Sequence, residues 1–381
     1  MLKLLPVVLI GLALAYLSQY RTTNDGMLIA QNKKDTIIYF AMAVVFIVFV
    51  GLRTIYNDTA VYITDYNHMP DHGNLFAGIK WTWSESVGYR LLCHILKFMH
   101  VSTQSFLMFY AVIDVGILLW FIRKYAEKEN LFLTIFLFIT MGVYTFNMAA
   151  IMQCTATAFA VVAVDKAIQK KWGWFVFFVF IAATFHTYAF IFFLVPFLSF
   201  QPWSKKTYWM LAAFLLVGLL LPRLLGIVVS VTTAMGEDYD LDSFSQAGVN
   251  IFRFLVCAVP VVLSFMTRKL SEGKTTRTEN IIINLCMLNA EIMFVALFGT
   301  ANYFARLANY FLLFQAIALP WLLRYFDTRT RSMLYGGIII CYSLYFIYAN
   351  VFLYRFDLIF ENVSLITYLK IVYNSLFLGG A

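Results

Sequence analysis

Charge is what this chain most lacks. Only 13% of its 381 residues are charged, against 62% hydrophobic. A soluble domain carries about a quarter charged residues and about half apolar ones. No polar stretch is long enough to form a separate domain, which excludes a soluble enzyme held by one anchor. There is no internal repeat, low-complexity tract or linker. Cys93, Cys154, Cys257, Cys286 and Cys341 lie mostly inside apolar runs, without metal spacing or a secreted disulfide framework, so packing is their role. His68, His72, His94 and His100 fall in one polar segment without ligand spacing and read as solvated or interfacial.

What is there is hydrocarbon in long runs. Several approach or exceed the ~18–20 residues that cross a bilayer. The reading is an all-α polytopic membrane protein, one transmembrane domain over 1–381 with about 12 spans (roughly 11–13). The spans fall near 4–20, 36–52, 104–122, 131–149, 151–168, 172–184, 187–200, 208–232, 251–267, 280–299, 307–323 and 332–352. Runs 172–184 and 187–200 are short, and His186 sits at their joint, so they form either tilted crossings or a re-entrant hairpin.

The net charge of +8 is spread over short loops, which marks membrane orientation rather than a nucleic-acid stripe. Placing loops 21–35, 123–130, 165–171, 201–207, 268–279 and 324–331 on the inside gives them 18 of the 28 Lys and Arg. Two outer segments then stand out. Segment 53–103 contains an amphipathic stretch whose Leu91, Leu92, Ile95, Leu96 and Met99 oppose Arg90, His94 and Lys97, read as a helix lying on the membrane surface. Loop 233–250 is acidic, with Glu237, Asp238, Asp240 and Asp242. A D-x-D spacing can hold a divalent ion, but a solvated loop is the better reading. Segment 353–381 is either an outer interfacial helix or partly inserted.

Cations on the outer side run against the general bias. Arg53 ends the second span, Arg90 lies on the surface helix, Arg223 follows a proline in the outer half of its span, and Arg253 and Arg306 each open a span. An arginine at a span edge usually faces a polar cavity or a partner, and guanidinium grips phosphate in bidentate fashion. The choice is an outer anionic ligand, or snorkelling and pairing with Asp58, Asp65 or Glu291. His186 is either a general base or a hydrogen-bonded histidine closing a helix joint. Asp58 and Asp65 either orient sugar hydroxyls and abstract a proton or pair with Arg53. Asp114, deep in a span, reads as paired. Tyr56, Tyr62, Tyr66, Trp81, Trp83 and Tyr303 near the outer face pack or stack on sugar rings.

Four stretches resemble the EpsG-type family of bacterial polysaccharide polymerases, related in role to the Wzy polymerases. They are "GLRTIYNDTAVYITDY", "NMAAIMQCTATAFAVVAVDKAIQKK", "AATFHTYAFIFFLVPFL" and "FARLANYFLLFQAIALP", similar in order to the family's arginine-aspartate segment, small-residue span, Phe-His hairpin and late arginine span. Where the family has Arg-Gln, this chain has Met152-Gln153. The missing cation is either dispensable or replaced by Arg223 or Arg253.

The resemblance implies a glycosyltransferase at the outer face of the bacterial cytoplasmic (inner) membrane. It would move a growing glycan from undecaprenyl pyrophosphate onto an incoming undecaprenyl-pyrophosphate-linked oligosaccharide. A flippase and a chain-length regulator are implied partners, and no cofactor, metal or nucleic acid is expected. Arg53 and Arg306, then Arg223 and Arg253, are the expected pyrophosphate ligands. His186 is the expected base with Asp58 as rival, and Asp65, Tyr62, Tyr66 and Arg90 contact sugar. Two other readings stay open: a flippase or exporter of lipid-linked oligosaccharide, and a transferase using a polyprenyl-phosphate sugar.

Overall fold

The computed structural model of the protein describes residues 4–19, 33–71, 73–76, 79–234, 248–298 and 301–350. Among them every regular element is helical, as backbone in hydrocarbon requires when no barrel closes. The helices are α1 (Leu4–Ser18), α2 (Lys33–Gly51), α3 (Thr59–His68), α4 (Val87–Phe98), α5 (Thr103–Tyr125), α6 (Leu131–Thr140), α7 (Val143–Phe146), α8 (Ile151–Ile168) and α9 (Trp172–Phe185). A 3₁₀ segment (Thr187–Leu198) follows, then α10 (Lys205–Ala234), α11 (Ile251–Met266), α12 (Arg268–Ser271), α13 (Arg277–Val295), α14 (Ala301–Asn309), α15 (Leu312–Leu323) and α16 (Thr328–Tyr348).

Four helices, α2, α5, α8 and α13, are long and apolar enough to cross a membrane, and α14 with α15, bent by 54°, makes up to five. Helices α1, α9, α11 and the 3₁₀ segment are apolar but shorter. The protein is thus an all-α membrane protein. Two expected spans are interrupted. The run 131–149 is α6, a turn at Gly142 with φ +88, and the single turn α7; glycine is the residue that takes this left-handed conformation without strain. The run 307–323 is broken between Asn309 and Leu312. Residues 235–247 of the acidic loop, with Glu237, Asp238, Asp240 and Asp242, and segment 353–381 lie outside the described residues.

Charge sorts the two ends of the bundle. Asp165, at the end of α8, is fully buried between Lys124 (2.5 Å), Lys166 (3.0 Å) and the Tyr125 hydroxyl (2.6 Å). Arg324 pairs with Glu127 (3.7 Å) and with Glu279. Loops 123–130, 165–171, 268–279 and 324–331 therefore meet on one face. From it α9 rises to His186, whose extended backbone (φ −156°, ψ 117°) turns the chain into the 3₁₀ segment. That segment returns to the ionic end, where Asn284 Nδ2 donates to the carbonyls of Leu198 and Phe200, both at 2.8 Å. Small residues let α8 and α9 approach closely: Ala156, Ala160 and Ala163 face a partner carrying Ala182 and Ala183, all fully buried.

The amphipathic helix α4 differs from its expected posture. It docks on protein through Tyr89, Cys93, His94 and Leu96, while Leu91, Leu92 and Ile95 are half-buried and Met99 is exposed. His94 is thus buried rather than solvated, and burial, then the Arg90 charge, lower its pKa. The reason is α9, against which α4 packs. A Cβ on Gly88 would lie 2.2 Å from Thr184 Oγ1 and 2.8 Å from its Cβ, so only glycine permits this contact. Gly88→Ala is expected to cost about 1–3 kcal/mol by overpacking and to lower the unfolding temperature in detergent. Gly336→Ala, with nothing within 4 Å, serves as the neutral comparison.

Candidate active site

The interrupted helices determine where polar groups gather. A carbonyl released by a helix break inside a membrane needs a donor, and here buried side-chain amides supply several. Gln153 Nε2, at the start of α8, donates to the Arg306 carbonyl at 2.5 Å. Asn289 Nδ2, on α13, donates to the Ala308 carbonyl at 2.5 Å. Gln315 Nε2 bridges Asn289 Oδ1 (2.6 Å) and the Cys257 carbonyl (2.9 Å). Pro260, inside α11, has no N–H for the Val256 carbonyl, which accepts instead from the Tyr342 hydroxyl at 3.0 Å. Helix α14, carrying Arg306, is held by its backbone, and the arginine side chain is left exposed.

Two cavities adjoin at Arg306. The larger, about 470 Å³, lies between the two breaks. Gly142, Thr145 and Ala149 line one wall, and Ala305, Arg306 and Asn309 another; Arg253 on α11, Tyr56, Asn57 and Asn350 complete it. Among the described residues two arginines and no carboxylate line it. Neither arginine makes an ion pair among the described residues.

The smaller cavity, about 250 Å³, brings together Asp58, Tyr62, Glu85, Arg90, Gln153, His186 and Arg306. Asp58 is the N-cap residue of α3, but its side chain does not cap the helix. Tyr62 is buried against this wall; burial, then the Asp58 carboxylate, push its phenol pKa up, which makes it a hydrogen-bond donor rather than a base. His186 packs edge-on to Tyr188 at 4.7 Å between ring centres, and its buried Nδ1 has no hydrogen-bond partner among the described residues. Glu85 arrives on a loop fixed to the hairpin: Thr187 Oγ1 donates to the Trp83 carbonyl (3.3 Å) and Trp83 packs on Phe180 and Phe190.

Of the residues singled out in the sequence, Asp58, Tyr62, Arg90, His186, Arg253 and Arg306 line these cavities. Arg53, Tyr66, Asp65 and Asp114 stand apart. Arg53 is 1% exposed and lines neither cavity; its Nε donates to Thr59 Oγ1 (3.2 Å) and its Nη1 to the Val50 carbonyl (2.8 Å). Thr59 in turn donates to the Met148 carbonyl (3.1 Å). Arg53 thus ties the end of α2 to α3 and to the broken span, and does not pair with Asp58. Tyr66 is buried, stacked on Phe106 at 4.2 Å and donating to the Val101 carbonyl at 2.7 Å, a core residue rather than a cavity wall. Asp65 lies 3.9 Å from Arg90 in a half-exposed pair. Asp114 accepts from Thr155 Oγ1 at 2.8 Å. The side chain of Arg223 lies outside the described residues. Glu291 makes no ion pair with any arginine among the described residues.

Glu85, Asn57 and Gln153 were missed as site residues. Glu85 is a lone acid in a loop and carries no sequence signal; Gln153 had one, as the surviving half of the Arg-Gln pair. Met152, at the position of the family's arginine, lines the smaller cavity beside Arg90 and Arg306, whereas Arg253 lines the larger one.

The model of the EpsG family matches residues 36–369, and the chain belongs to that family. Membership supports a polysaccharide polymerase-type function in general. No curated protein and no solved structure matches the chain.

Gln153→Leu leaves the buried Arg306 carbonyl without its donor, at a cost of about 1–3 kcal/mol. The expected result is a lower unfolding temperature for the purified protein, with Gln153→Asn, one methylene too short, behaving likewise.

Proposed function

We propose that the protein is a polysaccharide polymerase that joins lipid-linked oligosaccharides at the outer face of a bacterial cytoplasmic membrane, with about twelve crossings in all. One observation carries the reading: Arg306 stands between a cationic cavity and a cavity holding His186 and two carboxylates. The donor's pyrophosphate sits in the first, against Arg253 and Arg306, where guanidinium groups stabilise the charge that develops as it leaves. The acceptor sugar sits in the second. Its hydroxyl oxygen attacks the anomeric carbon of the donor glycan while the bond from that carbon to the pyrophosphate oxygen breaks. The departing oxygen keeps the electron pair, and His186 or Asp58 takes the hydroxyl proton. One glycosidic bond replaces one glycosyl phosphate bond, and no nucleotide sugar is consumed.

Arg90 and Tyr62 orient the acceptor in this scheme, with Glu85 added to them. Arg53 becomes a positioning residue that holds α3, and so Asp58 and Tyr62, against the broken span. Tyr66 and Asp65 drop out of the sugar contacts. A flippase would draw its cations along a pathway open in turn to both sides; here the four ionic loops pair off at the opposite end, which favours a fixed site.

The test is the surface polysaccharide of the source cell deleted for this gene and complemented with variants. Arg306→Ala and His186→Ala should give single repeat units where the wild type gives a ladder. A full ladder from Arg306→Ala would overturn the reading, and absence of any surface repeat unit would point to export instead.

A further inference from the structure

On the far side of α11 and α13 from the cationic cavity lies a third space, about 240 Å³, closed on its third side by α10. Its walls are hydrocarbon: Leu211, Phe214, Phe254, Val261 and Phe294 among others. Its edge is open, since Leu215 and Val262 are 49% and 54% exposed. In a membrane protein that edge faces lipid. Among the described residues Glu291 is the one ionisable side chain in it. Glu291 is 5% exposed, and neither carboxyl oxygen has a hydrogen-bond partner among the described residues.

A charge in such surroundings costs a few kcal/mol even by the lower insertion scales, so the group is present as the acid, with an O–H to place. Position restricts what can accept it. Glu291 stands about 20 Å along α13 from its start at Arg277, at 1.5 Å per residue. The helix ends at Val295, about 6 Å further on, and the apolar run read from the sequence continues to residue 299. Lipid headgroups and ester carbonyls stay near the surface; at this depth the acceptors that a lipid chain offers are the π faces of its double bonds. A saturated chain offers none, whereas an isoprenoid chain carries a double bond in every unit.

We propose that the groove holds a stretch of unsaturated isoprenoid chain, with the Glu291 acid O–H directed at one of its double bonds. This rests on the polymerase reading for the source of the chain, the polyprenyl tail of the lipid carrier. The pyrophosphate cavity shares α11 and α13 with the groove: Arg253 and Val256 face the one, Phe254 and Val261 the other.

The experiment uses the full chain purified in detergent and an apolar carbodiimide, which reacts with carboxylic acids in apolar sites. The carboxyl oxygen adds to the carbodiimide carbon, the acid proton moves to nitrogen, and the adduct is read at Glu291 by peptide mass spectrometry, with Glu291→Gln as the control. Labelling of Glu291 is expected. A polyprenol without phosphate should slow it severalfold, and the fully hydrogenated alcohol of the same length should not. No label at Glu291, or equal slowing by both alcohols, overturns the proposal. Because the polyprenol carries no phosphate, the outcome is independent of the arginine cavity. Protection with no ladder defect in the gene deletion leaves the groove and sinks the polymerase; a ladder defect without protection does the reverse.

Discussion

A backbone carbonyl inside a membrane must have a donor, and this protein breaks its helices where it can provide one. The chain interrupts the span 131–149 at Gly142 and bends the late span between Asn309 and Leu312. Both breaks line the larger cavity. Non-helical backbone at this depth is tolerated only where protein or a polar cavity covers it. At the late break Gln153, Asn289 and Gln315 cover it, through four hydrogen bonds of 2.5 to 2.9 Å. The same amides that satisfy the backbone of α14 also fix the one arginine shared by both cavities. Fold and site are therefore the same set of hydrogen bonds seen from two sides.

Charge distribution makes the second half of the arrangement. Carboxylates at the ionic face are spent on structure: Asp165 takes two lysines and a tyrosine, and Arg324 joins Glu127 to Glu279. At the opposite end, Arg253 and Arg306 have no acidic partner among the described residues. A guanidinium without an acidic partner beside a cavity is a ready binding group for an anion. The acids that do stand nearby, Asp58 and Glu85, line the adjoining cavity with His186. Arg306 borders both cavities.

Much of this was legible in the sequence, and for definite reasons. Apolar run length gives the class of protein, and the inside excess of Lys and Arg brought together four loops that the structure joins by ion pairs. Cations on the minority side led to Arg90, Arg253 and Arg306. The same logic also led to Arg53, which lines neither cavity: a buried arginine hydrogen-bonded to Thr59 and a carbonyl looks in sequence like an arginine at a cavity mouth. Tyr66 is packed in the core, and spacing cannot tell a stacked core tyrosine from a sugar platform. The breaks at Gly142 and Asn309 were invisible: each lies within an apolar run long enough to cross unbroken. Glu85 was invisible too, for its place depends on Trp83 packing against α9 and the 3₁₀ segment, a tertiary contact without local signature.

The Arg253–Arg306 cavity is the proposed seat of a lipid pyrophosphate. Binding of undecaprenyl pyrophosphate to the purified protein, compared between wild type and Arg306→Ala, tests this most directly. The predicted result is a loss of affinity of tenfold or more, about 1.4 kcal/mol or above, with Arg306→Lys recovering only part of it. Unchanged affinity in Arg306→Ala would contradict the account.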